Sequence, residues 1–158
     1  MSTKALLNNH GIQVTGTGGS TYTDIKGKNF AFLAYNDIGG RQEGISWADE
    51  KRISEDIQEA KKNADYVVVA YHWGAEYRDQ PDERQKYLGH FTIDAGADLI
   101  IGNHPHWIQP IEFYKGKLIA YAHGNFVFDQ YFREDTKQGL LVKMTIDPQT
   151  KALSYEDI

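Results

Sequence analysis

The sequence predicts an α/β fold, on two observations. Apolar runs of strand length alternate with segments whose apolar residues recur at helical spacing. Two of those runs, DYVVVAY (65–71) and ADLII (97–101), are continuous and rich in β-branched residues, the pattern of strands buried on both faces.

The elements follow in order. Residues 3–10 read as a short helix around Ala5, Leu6 and Leu7, with Gly11 at its C-terminal end. Residues 12–16 read as extended, GTGGS (16–20) as a loop, and NFAFLAY (29–35) as a buried strand. After a polar loop over 36–45, Ser46 is the expected N-cap, with Asp49 completing a capping box. Ile53, Ile57, Ala60 and Ala64 then give one apolar helix face. Strand 65–71 follows, then a polar loop over 74–81 ending in Pro81, which suits a helix first turn. The next helix takes Tyr87, Leu88, Phe91 and Ala95 as its apolar face and stops at Gly96. Strands are expected over 97–101, 117–121 and 139–146, the last ending at Asp147-Pro148.

Composition narrows the chemistry. The chain of 158 residues suffices for one domain with a core, and no internal repeat or linker divides it. A net charge of −5 argues against a nucleic-acid surface. No cysteine is present, so metal ligands would be His, Asp, Glu or Asn. No stretch reaches the length of a membrane-spanning helix, and MSTKALLNNHG has no signal-peptide apolar core. The ten tyrosines fit a core plus an aromatic-lined cleft.

Two strands end in histidine. DYVVVAY runs into His72, and ADLII runs through Gly102-Asn103 into His104-Pro105-His106. The helix between them makes the strands neighbours with their C-terminal ends on one edge, where α/β sheets gather ligand sites. Neutral imidazole ligates Zn, Mn, Fe or Ni. Pro105 biases His104 toward extended backbone, so the pair either aims both rings into one cavity or offers one to each of two metals. A lone histidine at a strand end is more often a hydrogen-bonding loop residue; three on adjacent strand ends favour metal.

YHWGAEY (71–77), DAGADLIIGNHPHWIQPIE (94–112) and LIAYAHGNFVFDQ (118–130) resemble the blocks of the poly-γ-glutamate capsule-synthesis family, CapA or PGA_cap. That family lies in the calcineurin-like metallophosphoesterase superfamily. The resemblance runs from about Thr3 to Asp147. It implies an αββα metal-binding sandwich, phosphoester hydrolysis, and one or two divalent ions (Mn, Zn or Fe). It implies metal ligation by His72, His104 and His106, with Glu76 and Asn125 facing the same cleft. For Glu76 the competing reading is a solvated loop carboxylate, and for Asn125 a turn residue holding backbone. Arg78 and Gln109 are weaker candidates for touching an anionic group. Where the family has Ser-Leu before its GNF block, this chain has Ala122-His123; His123 reads as a change on the packed side, the alternative being an extra polar group near the cleft.

The superfamily's Asp near the first strand, its bridging Asp and its Asn-His block have no match here. Asn8-Asn9-His10 is a lookalike, because Gly11-Ile12 follows it at once; His10 reads as a helix C-terminal residue. The expectation is that residues 1–158 form the C-terminal portion of a CapA-like domain. The substrate the resemblance implies is an anionic phosphoester or a poly-γ-glutamate-related molecule, and the implied setting is the cell surface or the extracellular space. Self-association, or pairing with an N-terminal half, would bury an uncovered sheet face. A non-catalytic polymer-assembly or anchoring module is the alternative function.

Overall fold

A computed structural model describes residues 2–147 and 153–157. Its centre is a six-stranded sheet in the order β1-β2-β3-β4-β6-β5. The strands are β1 (Thr21–Ile25), β2 (Lys28–Asn36), β3 (Tyr66–His72), β4 (Leu99–Asn103), β5 (Ile111–Tyr114) and β6 (Lys117–Ala120). The four inner strands β2, β3, β4 and β6 are parallel. Antiparallel hairpins, β1–β2 and β5–β6, close the two edges.

The helices α2 (Glu50–Asn63) and α3 (Glu83–Ala95) make the β2–β3 and β3–β4 crossovers and pack on one face of the sheet. Ile53, Ile57 and Ala60 of α2 are buried, as their spacing requires. Beneath them lie Ala31, Leu33, Val67, Val69, Tyr71 and Ile100. This side-chain alternation puts the odd-numbered positions of β2 and β3 under the helices. Asn36, His72 and Asn103 therefore share the opposite face, together with Phe30, Phe32, Val68, Leu99 and Ile101. That second face is incompletely covered. Met144 and Ile146 of β7 (Val142–Ile146) line a cavity of about 280 Å³ over Phe30, Phe32, Val68, Leu99 and Ile101. Among the described residues, β7 pairs only with β8 (Leu153–Asp157), in a separate two-stranded sheet.

Several expectations change. Ser46 is not the N-cap of α2; Asp49 is, accepting from the Arg52 amide. Ser46 is engaged elsewhere: its amide donates to the Gly16 carbonyl, its carbonyl accepts from Asn36, and its hydroxyl accepts from the Gly18 amide. Residues 12–16 form no strand and are tied to β1 and β2 through Gln13 and Thr15 side chains. Tyr87 is half exposed; Leu88 is buried, Phe91 and Ala95 pack partly buried on the core, and the buried face also takes in Gln85, Gly89, Thr92 and Ile93. Pro81 precedes the N-cap Asp82 rather than entering the first turn. Of the expected 139–146 strand, 142–146 is a strand and Gly139 makes an isolated antiparallel bridge to Gly124. Pro148 lies outside the described residues. The N-terminal helix α1 spans Thr3–Asn9 and ends at His10. No helix among the described residues is long and apolar enough to cross a membrane.

The helix-facing end of β3 is an aromatic floor. Tyr71 and Trp73 stack at 4.4 Å, both buried, and the Trp73 indole donates to the Tyr121 carbonyl at 2.8 Å. Gly102 on β4 lies against this pair; a Cβ there would overlap the Tyr121 carbonyl. The floor fixes the C-terminal ends of β3, β4 and β6, from which the site is built.

The partly open apolar face carries an expected outcome. The chain should self-associate as concentration rises, because exposed apolar surface drives association. Sedimentation velocity over a concentration series checks this; a monomer throughout would contradict it.

Candidate metal centre

β3 and β4 pair in parallel with His72 opposite Asn103, so their loops leave the sheet side by side. The Trp73 amide donates to the Asn103 carbonyl at 3.1 Å, and the Tyr77 amide donates to the Pro105 carbonyl at 2.8 Å. These bonds clasp the 72–77 loop onto the His104-Pro105-His106 turn. The backbone there is unusual for side-chain-bearing residues: φ is +104° at His104, +61° at His106 and +59° at Tyr77. The expected extended conformation at His104 is thus not adopted. The loop clasp holds the turn in the left-handed region and outweighs the local preference set by Pro105. Backbone strain of this kind clusters where geometry serves a site.

The result is a group of three potential ligands. One ligand atom each from Glu76, His104 and His106 lies within 4.8 Å of the others. Binding one ion at bond lengths of about 2.1 Å would bring such atoms to roughly 3.4 Å at tetrahedral angles, a small side-chain adjustment. Two imidazoles and one carboxylate suit a divalent transition ion with an open position. The donor set therefore fits the group that the sequence implies.

The sequence-based trio was His72, His104 and His106. The structure brings Glu76 into the group, while His72 stands beside it, edge-on to His104 at 4.6 Å between ring centres. The clasped 72–77 loop accounts for this, because it folds Glu76 back over the turn while His72 stays on the sheet. Asn125 meets His106, with its Oδ1 2.8 Å from His106 Nδ1. Gln109 does not face the cleft. It is buried, accepts from Gln85 and donates to the carbonyls of Arg78 and Gln80, which anchors the loop after Glu76. Arg78 is exposed, and its side chain has no hydrogen bond or ion pair among the described residues. His123 donates through Nδ1 to the Gly102 carbonyl, bracing the end of β4. His10 is exposed at the end of α1 and outside the group.

Two aromatic neighbours were not anticipated. Tyr77 and Phe128 stack on the His106 ring at 6.0 and 5.3 Å. Both sit in blocks quoted above, but their contact depends on the left-handed turn, which has no sequence signature.

Electrostatics favours the ligating form of the rings. Burial, followed by repulsion from His106, holds His72 below the ordinary imidazole value. Burial, then His72, lowers His104, against an opposing pull from Glu76. Both rings are therefore neutral at pH 7, as ligation requires. As pH falls below the ordinary value of 6.5, the unfolded chain takes up protons that the folded rings resist. These rings impose no penalty above that pH, a growing one below it, and the full one once the pH has passed the folded values. Denaturation of the metal-free chain between pH 8 and 5 should show this loss. Ring titration by NMR should place both midpoints below 6.5.

Comparison with known proteins agrees with this architecture. The family model described as "Bacterial capsule synthesis protein PGA_cap" matches residues 1–130. The PGA biosynthesis protein CapA of Bacillus subtilis is 44% identical over 117 residues, covering 70% of this chain and 31% of that protein. The capsule biosynthesis protein CapA of Bacillus anthracis is 48% identical over 93 residues, covering 59% of this chain and 22% of that protein. The chain thus spans less than a third of the length of these curated relatives. Among solved structures, a novel phosphatase of Mycoplasma pneumoniae matches with TM-score 0.63 at 15% identity, covering 89% of this chain and 56% of that one. A hypothetical protein from Thermus thermophilus matches with TM-score 0.57 at 17% identity, covering 89% and 61%. These likenesses establish a phosphatase-like α/β fold. With the family model matching most of its length, the chain belongs to the bacterial capsule synthesis PGA_cap family.

Proposed function

We propose that this chain carries a divalent-metal site of a phosphoester-hydrolysing domain that serves poly-γ-glutamate capsule biosynthesis at the cell surface. The observation that carries the reading is the convergence of Glu76, His104 and His106 at the C-terminal edge of a phosphatase-like sheet. When bound, a divalent ion supplies the positive charge that stabilises the oxygens of a phosphoryl displacement. The two neutral imidazoles and the Glu76 carboxylate hold it. His72 extends the site and is assigned as a ligand where a second ion binds. Arg78, on the same loop with its charge free, is the side chain that reaches an anionic substrate from the rim. The chain's net charge of −5 makes such cationic help necessary.

One observation favours a second reading, binding of an anionic polymer without turnover. Among the described residues the ligand group has a single carboxylate, and a two-metal hydrolase uses a bridging one to hold its ions close. Turnover of a generic aryl phosphate, with and without Mn²⁺, separates the two. Mn²⁺-dependent hydrolysis that is lost in Glu76→Ala supports the hydrolase. Mn²⁺ binding without hydrolysis supports the polymer-binding reading.

A further inference from the structure

The hydrogen-bond network behind His106 fixes more than its position. Asn125 Nδ2 lies 2.9 Å from the Thr136 carbonyl oxygen. That oxygen has no proton to give, so the Asn125 atom facing it must be the amide nitrogen. The amide oxygen therefore points the other way, to His106 Nδ1 at 2.8 Å. An amide oxygen only accepts, so His106 Nδ1 carries the ring proton. In a neutral ring Nε2 is then bare, and Nε2 is the atom that faces Glu76, at 3.9 Å from its carboxylate.

The acceptor that orients Asn125 is itself immobilised. Thr136 is fully buried, and its hydroxyl lies 2.6 Å from the Gln130 carbonyl and 2.8 Å from that of Arg133. The Asn125 backbone amide donates to the Gln138 carbonyl, closing the segment from both ends. The whole 125–138 segment thus presents one amide oxygen to one ring nitrogen.

We infer that Asn125 is a positioning residue: held by Thr136, it selects the His106 tautomer with Nδ1 protonated and Nε2 free to ligate. Asn125 itself is assigned no ligand role, because its amide oxygen meets Nδ1, while the other ring nitrogen, Nε2, faces Glu76. The tautomer selection stands on the hydrogen bonds alone; only its consequence for metal rests on the proposed function. Loss of an outer partner of this kind weakens metal binding by about 10–100-fold.

The test uses the ¹⁵N-labelled, metal-free whole chain at about pH 8. Long-range ¹H–¹⁵N correlation reads the protonated ring nitrogen of each histidine, and His106→Ala assigns the His106 signals by their loss. The expected parent pattern is protonation at Nδ1. Asn125→Asp keeps the acceptor while losing the donor to Thr136, and it should retain that pattern. Asn125→Leu removes both and should shift the ring toward Nε2 protonation. Calorimetry with Zn²⁺ should then show the Leu variant about 10–100-fold weaker than the parent, with Asp within a few-fold. A parent ring protonated at Nε2 overturns the inference, whatever metal it binds. So does a Leu variant that folds and keeps the parent pattern. If the Leu variant does not fold, the parent and Asp spectra decide. An Nδ1-protonated parent that binds no Zn²⁺ upholds the tautomer selection and refutes the metal reading instead.

Discussion

Replacing His104 and His106 together by alanine is expected to abolish divalent-metal binding while leaving the fold intact. Each supplies one of three converging ligand atoms, and the remaining carboxylate, Glu76, is half exposed and holds an ion weakly by itself. The loss should exceed the roughly 10–100-fold that removing an outer partner costs. Alanine is the right replacement because both positions have positive φ. It keeps the Cβ and with it the backbone strain, whereas glycine would relieve the strain and confound the comparison. Neither ring belongs to the buried core, so the unfolding midpoint of the metal-free variant should stay close to the parent's. Metal content per chain after dialysis against Mn²⁺ or Zn²⁺, with circular dichroism as control, checks both halves. His72→Ala should cost less, because its ring adjoins the group without belonging to it.

Gly102→Ala is expected to be among the most damaging single substitutions in the chain. The added Cβ would overlap the Tyr121 carbonyl oxygen and come within 2.5 Å of Trp73 Nε1. The first is backbone and the second belongs to a fully buried indole, so neither yields easily. Overpacking costs about 1–3 kcal/mol, and forcing the indole N–H off its acceptor adds about 1–3 kcal/mol. A total of roughly 2–6 kcal/mol is a large share of the stability of a domain this size. Urea denaturation should show a lower midpoint with an unchanged slope. Metal affinity should fall as well, since Gly102 lies on β4 just ahead of the turn that aims His104 and His106.

The sequence was most informative where one physical requirement dominated. Central placement in the sheet left apolar runs at 66–71 and 99–101, and both are inner parallel strands. The alternation with helices then placed His72 and the His104–His106 turn on one edge, as found. Elements decided by tertiary pairing were not legible. TYTDI and IEFY are short edge strands with little burial, and their extension comes from hairpin partners. Ser46 has the chemistry of a helix cap, yet competing backbone bonds to Gly16 and Asn36 claim it. Gln109 looked like a cleft amide because neither its burial nor its three partners can be read from HWIQP. The membership of Glu76 in the ligand group depends on positive φ at Tyr77, His104 and His106, an effect of the clasped loops and not of the local sequence.

On the proposed function, Glu76, His104 and His106 bind one divalent ion between them. Anomalous diffraction from crystals equilibrated with Zn²⁺ or Mn²⁺ tests it most directly. A peak is expected about 2.0–2.2 Å from a Glu76 carboxylate oxygen, from a nitrogen of His104 and from Nε2 of His106. No peak there at full ion exchange, or an ion held by other side chains with these three left free, would contradict it.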